Sequence, residues 1–538
     1  MTRSARNAAK KALAASKRND PTRRAAAKPS AVKIPPRPLA GDGADTGEPA
    51  SAVTTATADL PWWYGLITSA IVSPSLDSRR AIFTNRTLRF SRVKAVGFDF
   101  DHTLAVYNCA ALDRLAMDLV IDRLIRFEGV KDEHFDNLPA PEFACKGLCV
   151  DIELGNVVKI DRHGHVTRAY HGQQRLTPDE RRRYYGDADY IPHVTHGDRF
   201  VQVDSAFAKP EVLIYAAVAP RVEAPKRREL WATIRRHTDM IHRDGSLKKI
   251  LMERPLDFMH PDLEVVPMLR RLRESGKKVF LLTNSEWEYT RAMVGPALGT
   301  GAPHSIEWLE LFDYVIVEAK KPDYFKPRKG PGKPVGIDHG NVMRGGNISD
   351  LEERLGCEGP EVLYVGDHIY ADLISSKRQQ SWRTMLIISE LQQEMEAESE
   401  LPGMAMQLKQ TDERRTVAER ELHHWQAVEQ ALKKLQDSTH GDLLSRLREL
   451  CGQNKQSAER ALREHIRQRD HLFDRLSTNT NPFWGSLFRA NSELTHYGRQ
   501  VEDFACTYTS RASNIGLYSA DHYFRSAMDF LPHEIESM

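Results

Sequence analysis

The chain has 538 residues, a formal net charge of +2 and an ordinary soluble-protein composition. That length suits a large α/β body with additions, and the balanced charge excludes a global affinity for nucleic acid or membrane. Six cysteines over such a length exclude a disulfide framework, and a reducing cytosol is the expected compartment.

Residues 1–58 are rich in Ala, Lys, Arg, Pro and Thr and hold few large apolar side chains. Between Thr2 and Ala40 the only acidic residue is Asp20, against eleven Lys and Arg. Such a segment buries too little surface to offset the entropy of ordering it, so a disordered basic tail is expected. An organelle-targeting peptide, also Arg-rich and acid-poor, is the alternative, with a nucleic-acid arm a minor one. The apolar stretch YGLITSAIV (64–72) is too short to span a bilayer.

From about residue 80 the chain becomes orderly. VKAVGFDF (93–100) has the apolar character of a buried parallel strand. Cys145 and Cys149 lack a second cysteine or histidine pair at zinc spacing and read as core or partly buried thiols. GNVVKIDRHGHVTRAYHG (155–172) alternates on either side of Arg162-His163-Gly164 and predicts a β-hairpin. Residues 211–250 are mainly helical by pattern. LEVVPMLRRLRESGK (263–277) predicts an amphipathic helix closed by Gly276. KVFLLTN (278–284), FDYVIVEA (312–319), EVLYVGD (361–367) and TMLIIS (384–389) predict further buried strands. Strands alternating with helices imply a Rossmann-like parallel sheet with right-handed crossovers, hence an α/β fold. Residues 390–475 are dense in Glu, Gln, Lys, Arg and Leu and predict long antiparallel helices, broken at Pro402 and at STHG (438–441). Residues 482–500 return to globular composition.

Four sites fall at the C-terminal ends of predicted strands: Asp99 and Asp101, Thr283, Lys321, and Asp367 with Asp372. Ligands of open parallel sheets bind outside those ends, so the four can converge. Taken singly, Thr283 reads as a helix cap and Lys321 as a surface lysine. Together they suit phosphoryl transfer: one carboxylate attacks phosphorus, and a second moves protons. Further carboxylates hold Mg²⁺, while a hydroxyl and an ammonium steady the phosphoryl oxygens.

The four motifs are similar to those of the haloacid dehalogenase-like phosphatases: DxDxT, Thr/Ser, Lys and GDxxxxD. In wording, NRTLRFSRVKAVGFDFDHTLAVY, LLTNSEWEYT, EAKKPDYF, YVGDHIYADLISSKRQQSWRT and WGSLFR resemble the cytosolic purine 5′-nucleotidase family, with coverage from about residue 80 onward. The resemblance implies Asp99 as nucleophile and Asp101 as general acid/base. It implies Mg²⁺ on Asp99, the main-chain carbonyl of Asp101 and Asp367, with Asp372 supporting from behind. It assigns phosphate binding to Thr283, Asn284, Ser285 and Lys321.

About 180 residues separate Asp101 from Thr283. In the resembled enzymes an insertion here is a cap that chooses the substrate. The expected division is a core of 80–110 and 260–392, a cap of 111–259, a coiled-coil-like extension of 393–475 and a C-terminal segment of 476–538 packing on the core. IRRHTDMIHRDGSLKK (234–249) predicts a helix ending near Gly245, with Arg235, Asp239 and His242 on one face. Alone, Arg235 and Asp239 read as an exposed i,i+4 salt bridge. The resemblance makes Arg235, Asp239, His242 and Lys248 substrate contacts and Phe207 a base-stacking ring, with a core phenylalanine the alternative. His102 stands where the family carries Tyr, and Asp204 and Ala208 where the purine-specific enzymes carry Asn. The shortened segment after 220–228 and the missing acidic C-terminal tail also depart from the animal enzyme.

The expected protein is a Mg²⁺-dependent 5′-nucleotidase acting on IMP and GMP through an aspartyl-phosphate, with nucleoside phosphotransfer open to the same intermediate. The rivals are a related phosphatase for another phosphomonoester, a non-catalytic scaffold using the helical region, and a nucleic-acid binder using the tail. The expected partner is a small-molecule nucleotide, with neither membrane nor nucleic acid, in a cytoplasmic homo-oligomer.

Overall fold

The computed structural model describes residues 77–186, 189–191, 198–326, 332–335, 340–401, 403–435, 440–491 and 493–527. The basic tail, the 64–72 stretch, Pro402 and residues 438 and 439 of the STHG segment lie outside them.

The centre of the fold is strand β1, Ala95–Phe98, whose four residues are all buried. In an all-parallel sheet both faces are covered, which is why this run is continuously apolar. β1 pairs in parallel with Lys278–Leu282 on one side and with Val362–Gly366 on the other. Beyond the first neighbour lie Tyr314–Val317 and then Val342–Arg344, both parallel. Beyond the second lie Arg383–Ile387 and then Thr507–Thr509, also parallel. Short antiparallel strands, Lys333–Pro334 and Phe83–Thr84, close the two edges. The strands expected near 93, 278, 312, 361 and 384 are all present, each within two residues of its expected bounds. Thr507–Thr509 is a strand that pattern did not predict.

Register does the positioning. Phe98 is level with both Leu281 and Val365, so the chain leaves all three central strands at one edge. Gly97 allows the sheet its closeness to the Phe280 ring, because a β-carbon there would lie 2.1 Å from that ring.

The insertion between Asp101 and Thr283 holds its own antiparallel sheet of five strands. Leu148–Asp151, Asn156–Ile160 and Val166–His171 form its middle, with the expected turn at Gly164, whose φ is +94°. Phe200–Gln202 and Gln174–Arg175 form the edges. Three of its helices pack on one another: α1 (Cys109–Glu128), α2 (Lys209–Val218) and α3 (Ala224–Arg243). α1 starts at Asn108, whose side chain accepts a hydrogen bond from Ala111 N, and ends at Gly129 in the left-handed region. α3 ends just before Gly245, whose φ is +80°. Cys149 is buried, Cys145 half-buried, and both are free thiols.

Met404–Lys434 and Gly441–Thr480 form an antiparallel hairpin of two long helices, cross-linked by Lys455 with Glu429 and Arg469 with Asp412. The chain then returns to the body. The ammonium of Lys159, on the second strand of the insertion sheet, donates to the carbonyls of Trp484, Ser486 and Arg489 at 2.8, 2.6 and 2.6 Å. Trp484 in turn donates to Phe143 O and packs on the Tyr170 ring. No helix among the described residues is long and apolar enough to cross a membrane.

Candidate active site

Asp99 is the first residue past β1, and its own main chain is tied to Val365 O at 2.9 Å. The Asp99 side chain accepts from Phe100 N at 2.8 Å, fixing the carboxylate at the start of a tight turn over Phe100–Leu104. Asp367 follows the neighbouring strand, and Asp372 comes back beneath it one turn later. Carboxylate oxygens of Asp99, Asp367 and Asp372 all lie within 4.8 Å of one another.

One ammonium reaches this group from the third strand end. Lys321 Nζ lies 2.8 Å from Asp99 Oδ2, 2.8 Å from Asp372 Oδ1 and 2.9 Å from Tyr364 Oη. Burial works against its charge, but Asp372 and Asp99 outweigh that and hold it above the ordinary lysine value. The opposite imbalance acts on the acids. Burial above all, opposed by Lys321 and reinforced by Asp372 and Asp367, lifts Asp99 well above the usual carboxylate range. Burial likewise lifts Asp367 to about 6, with Lys146 opposing and Asp372 adding. Asp367 and Asp372 are buried and Asp99 is half-buried; Lys321 pairs with Asp99 and Asp372, Lys146 lies 3.8 Å from Asp367, and an all-oxygen set of three carboxylates fits a hard divalent cation.

Asp101 is held at both oxygens: Tyr107 Oη donates to Oδ1 at 2.6 Å and Ser285 Oγ to Oδ2 at 2.8 Å. Tyr107 also meets Tyr289 Oη at 2.9 Å. Thr283 is buried, and its hydroxyl accepts from Ser285 N at 3.0 Å. The Asn284 side chain, expected on the phosphate, clasps the Lys321 main chain. It accepts from Lys321 N at 2.6 Å and donates to Lys321 O at 3.2 Å. The side chains of Asn284 and Ser285 therefore serve the loop and Asp101, because a lysine aimed at two carboxylates needs a rigid backbone beneath it.

The insertion reaches the same place. His102 has φ +56°, and its ring lies 4.8 Å from both the Tyr107 and Phe207 rings. Burial, with Lys146 and Lys209 nearby, pushes it down to about 3, so the imidazole is neutral. Phe207 is 38% exposed, which removes the core-phenylalanine alternative, and its ring meets His242 at 5.6 Å. Burial lowers His242, with Lys248 adding and with Asp101 and Asp239 opposing. Lys248 lies 3.5 Å from Glu286 and over the Tyr289 ring at 5.5 Å. Arg235 and Asp239 are both exposed, and among the described residues they form no salt bridge with each other. That corrects the i,i+4 pair read from spacing alone.

Several neighbours carried no sequence signal. Lys146 lies 3.8 Å from Asp367 and 3.8 Å from Glu390, and Lys209 lies 3.6 Å from Glu390. The two ammoniums overcome burial and hold Glu390 down at about 2. Tyr107, Tyr289 and Tyr364 were equally silent, since a tyrosine inside an apolar run reads as core.

Comparison with known proteins gives the arrangement a context. A family model described as the 5′ nucleotidase family matches residues 82–536. "5′-nucleotidase domain-containing protein 2" of Rattus norvegicus is 28% identical over 493 residues, covering 86% of this chain and 81% of its own. The Homo sapiens protein of the same name is 27% identical, covering 86% of each chain. A Dictyostelium discoideum 5′-nucleotidase domain-containing protein is 26% identical over 86% of this chain and 76% of its own. Among solved structures, a 2-haloacid dehalogenase from Pseudomonas syringae pv. Tomato DC3000 aligns at 13% identity over 55% of this chain and 86% of that one, with a TM-score of 0.21.

Proposed function

The chain belongs to the 5′ nucleotidase family of phosphoric monoester hydrolases, and on that premise we propose that it hydrolyses purine nucleoside 5′-monophosphates, IMP and GMP foremost, with Mg²⁺. The observation that carries the reading is Lys321 Nζ at 2.8 Å from both Asp99 and Asp372, in one cluster with Asp367.

Asp99 Oδ attacks the phosphorus while the ester bond to the 5′-oxygen breaks, giving an aspartyl-phosphate. Asp101, held in place by Tyr107 and Ser285, delivers the proton that lets the nucleoside leave as an alcohol. The same carboxylate then takes a proton from water as that water attacks the acyl phosphate. Phosphate departs and Asp99 is restored. A nucleoside hydroxyl in place of water gives phosphotransfer by the same step. Lys321 offsets charge on the phosphoryl oxygens, and the Thr283 hydroxyl lies at the same strand edge to bind them. Asp99, Asp367 and the main-chain carbonyl of Asp101, supported by Asp372, would hold a divalent cation, which would supply further positive charge there. On the insertion side, Phe207 stacks on the base, and Arg235, Asp239, His242 and Lys248 line its approach.

The test is phosphate release over a panel of nucleotides and sugar phosphates with Mg²⁺, using Asp99→Asn as blank. Purine nucleotides leading the panel, with no turnover in the blank, is the expected result. A sugar phosphate leading it returns the reading to a related phosphatase, and turnover by Asp99→Asn overturns the mechanism.

A further inference from the structure

Two ammoniums serve the acid cluster, and they are not equivalent. Lys321 lies 2.8 Å from both Asp99 and Asp372, within hydrogen-bond length. Among the described residues Asp367 has one ion pair, with Lys146, whose Nζ lies 3.8 Å from Asp367 Oδ2. The same ammonium lies 3.8 Å from Glu390 Oε2. Lys146 thus stands midway between two carboxylates, at hydrogen-bond length from neither.

The main chain delivers it there. Lys146 is 2% exposed and comes from the insertion, two residues before the strand Leu148–Asp151. Gly147 carries the chain past Tyr497: its φ is +81°, and a β-carbon there would lie 2.6 Å from Tyr497 Cβ. Only glycine meets both demands. Its N–H donates to Val203 O at 2.7 Å, which fixes the backbone beside Lys146. Glu390 belongs to the core and opens the helix Glu390–Ser399. Its Oε1 is sealed from solvent, accepts no hydrogen bond among the described residues and lies 3.6 Å from Lys209. A carboxylate with unused acceptor capacity on one side and Asp367 on the other gives a flexible lysine stem two seats.

A divalent cation and an ammonium compete for one carboxylate, because like charges a few ångströms apart repel strongly away from bulk water. We infer that Lys146 is a positioning residue that sets the metal affinity of the site: it neutralises Asp367 in the metal-free chain and turns to Glu390 when a divalent cation takes Asp367. This deepens the reading of a divalent cation at the acid cluster and rests on it. Metal loading then moves the insertion's hold on the core from one carboxylate to the other.

The test is calorimetric titration of the metal-free full chain with Mg²⁺, for wild type, Lys146→Met, Lys146→Arg and Glu390→Gln. Lys146→Met removes the competing charge and keeps the apolar stem, so its Kd for Mg²⁺ should fall about tenfold. Glu390→Gln weakens the second seat, holds Lys146 at Asp367 and should raise the Kd about tenfold. Lys146→Arg keeps the charge and should bind as wild type does. A merely structural loss would weaken binding in both Lys146→Met and Glu390→Gln, so shifts of opposite sign are the signature. A Kd unchanged or raised in Lys146→Met, or unchanged or lowered in Glu390→Gln, overturns the inference. Should Lys146→Met not fold, Lys146→Gln is read by the same fall in Kd. Wild type that takes up no Mg²⁺ defeats the metal reading and this inference with it. Wild type that binds Mg²⁺, with both variants unmoved, defeats this inference alone.

Discussion

Gly366 lies directly beneath the carboxylate of Asp372: a β-carbon at 366 would sit 2.5 Å from Asp372 Oδ2. The obstruction is one-sided, since Asp372 also accepts from His368 N at 3.2 Å and pairs with Lys321. Gly366→Ala should therefore push Asp372 off Lys321. We expect turnover to fall at least about tenfold, with a stability loss of about 1–3 kcal/mol from overpacking. Steady-state kinetics and urea unfolding check it. Wild-type kinetics in the alanine variant would show that Asp372 need not hold Lys321.

The acid cluster makes stability depend on pH and on metal. Asp367 titrates near 6 in the folded chain, against an unfolded value of 3.8. A carboxyl raised in this way favours the folded state most at low pH. That contribution is lost as pH rises from the unfolded value through about 6, a loss of about 3 kcal/mol for this group by neutrality. In EDTA, Asp367→Asn should gain on wild type as pH rises from 4.5 to 7.5. Mg²⁺ should raise the wild-type Tm more at pH 7.5 than at pH 5, because protons compete for the same oxygens. Thermal melts at both pH values measure this, and equal Mg²⁺ shifts would contradict it.

Lys159 spends all three ammonium donors on main-chain carbonyls of the returning segment. Lys159→Met keeps the apolar stem and leaves three carbonyls unpaired. A loss of about 3 kcal/mol or more is expected, along with protease cleavage near 484–489. An unchanged unfolding midpoint would assign the anchoring to Trp484 alone.

Arg235 is exposed and free of any salt bridge to Asp239, so its removal touches no packing. Arg235→Ala should raise KM for purine nucleotides several-fold, the order of a charged hydrogen bond. The p-nitrophenyl phosphate KM should not move. Equal effects on both substrates would place Arg235 outside the base site.

The central strands were readable because each is a local apolar run ending on a polar residue, and that ending is where Asp99, Thr283 and Asp367 sit. Lys321 was readable by its order among them. The insertion sheet was half legible: the Gly164 hairpin carries alternation and a turn, whereas Leu148–Asp151 and Phe200–Gln202 are too short for a pattern. Lys146, Lys209 and Glu390 left no trace, because their meaning lies in contacts between segments far apart in sequence. Asn284 and Ser285 show the reverse limit. The motif names the residues, but only the folded loop shows that their side chains are committed to Lys321 and Asp101.

The parallel pairing of Thr507–Thr509 with Arg383–Ile387 has a consequence for how the molecule is made. Every acid of the site has left the ribosome once residue 372 emerges, yet the sheet still lacks its edge. The long hairpin must be synthesised and folded back before that edge is sealed. Until then the nascent chain presents an unpaired apolar strand, a template for wrong partners. A stop codon between 480 and 505 should therefore yield an aggregating product with every acid of the site in place.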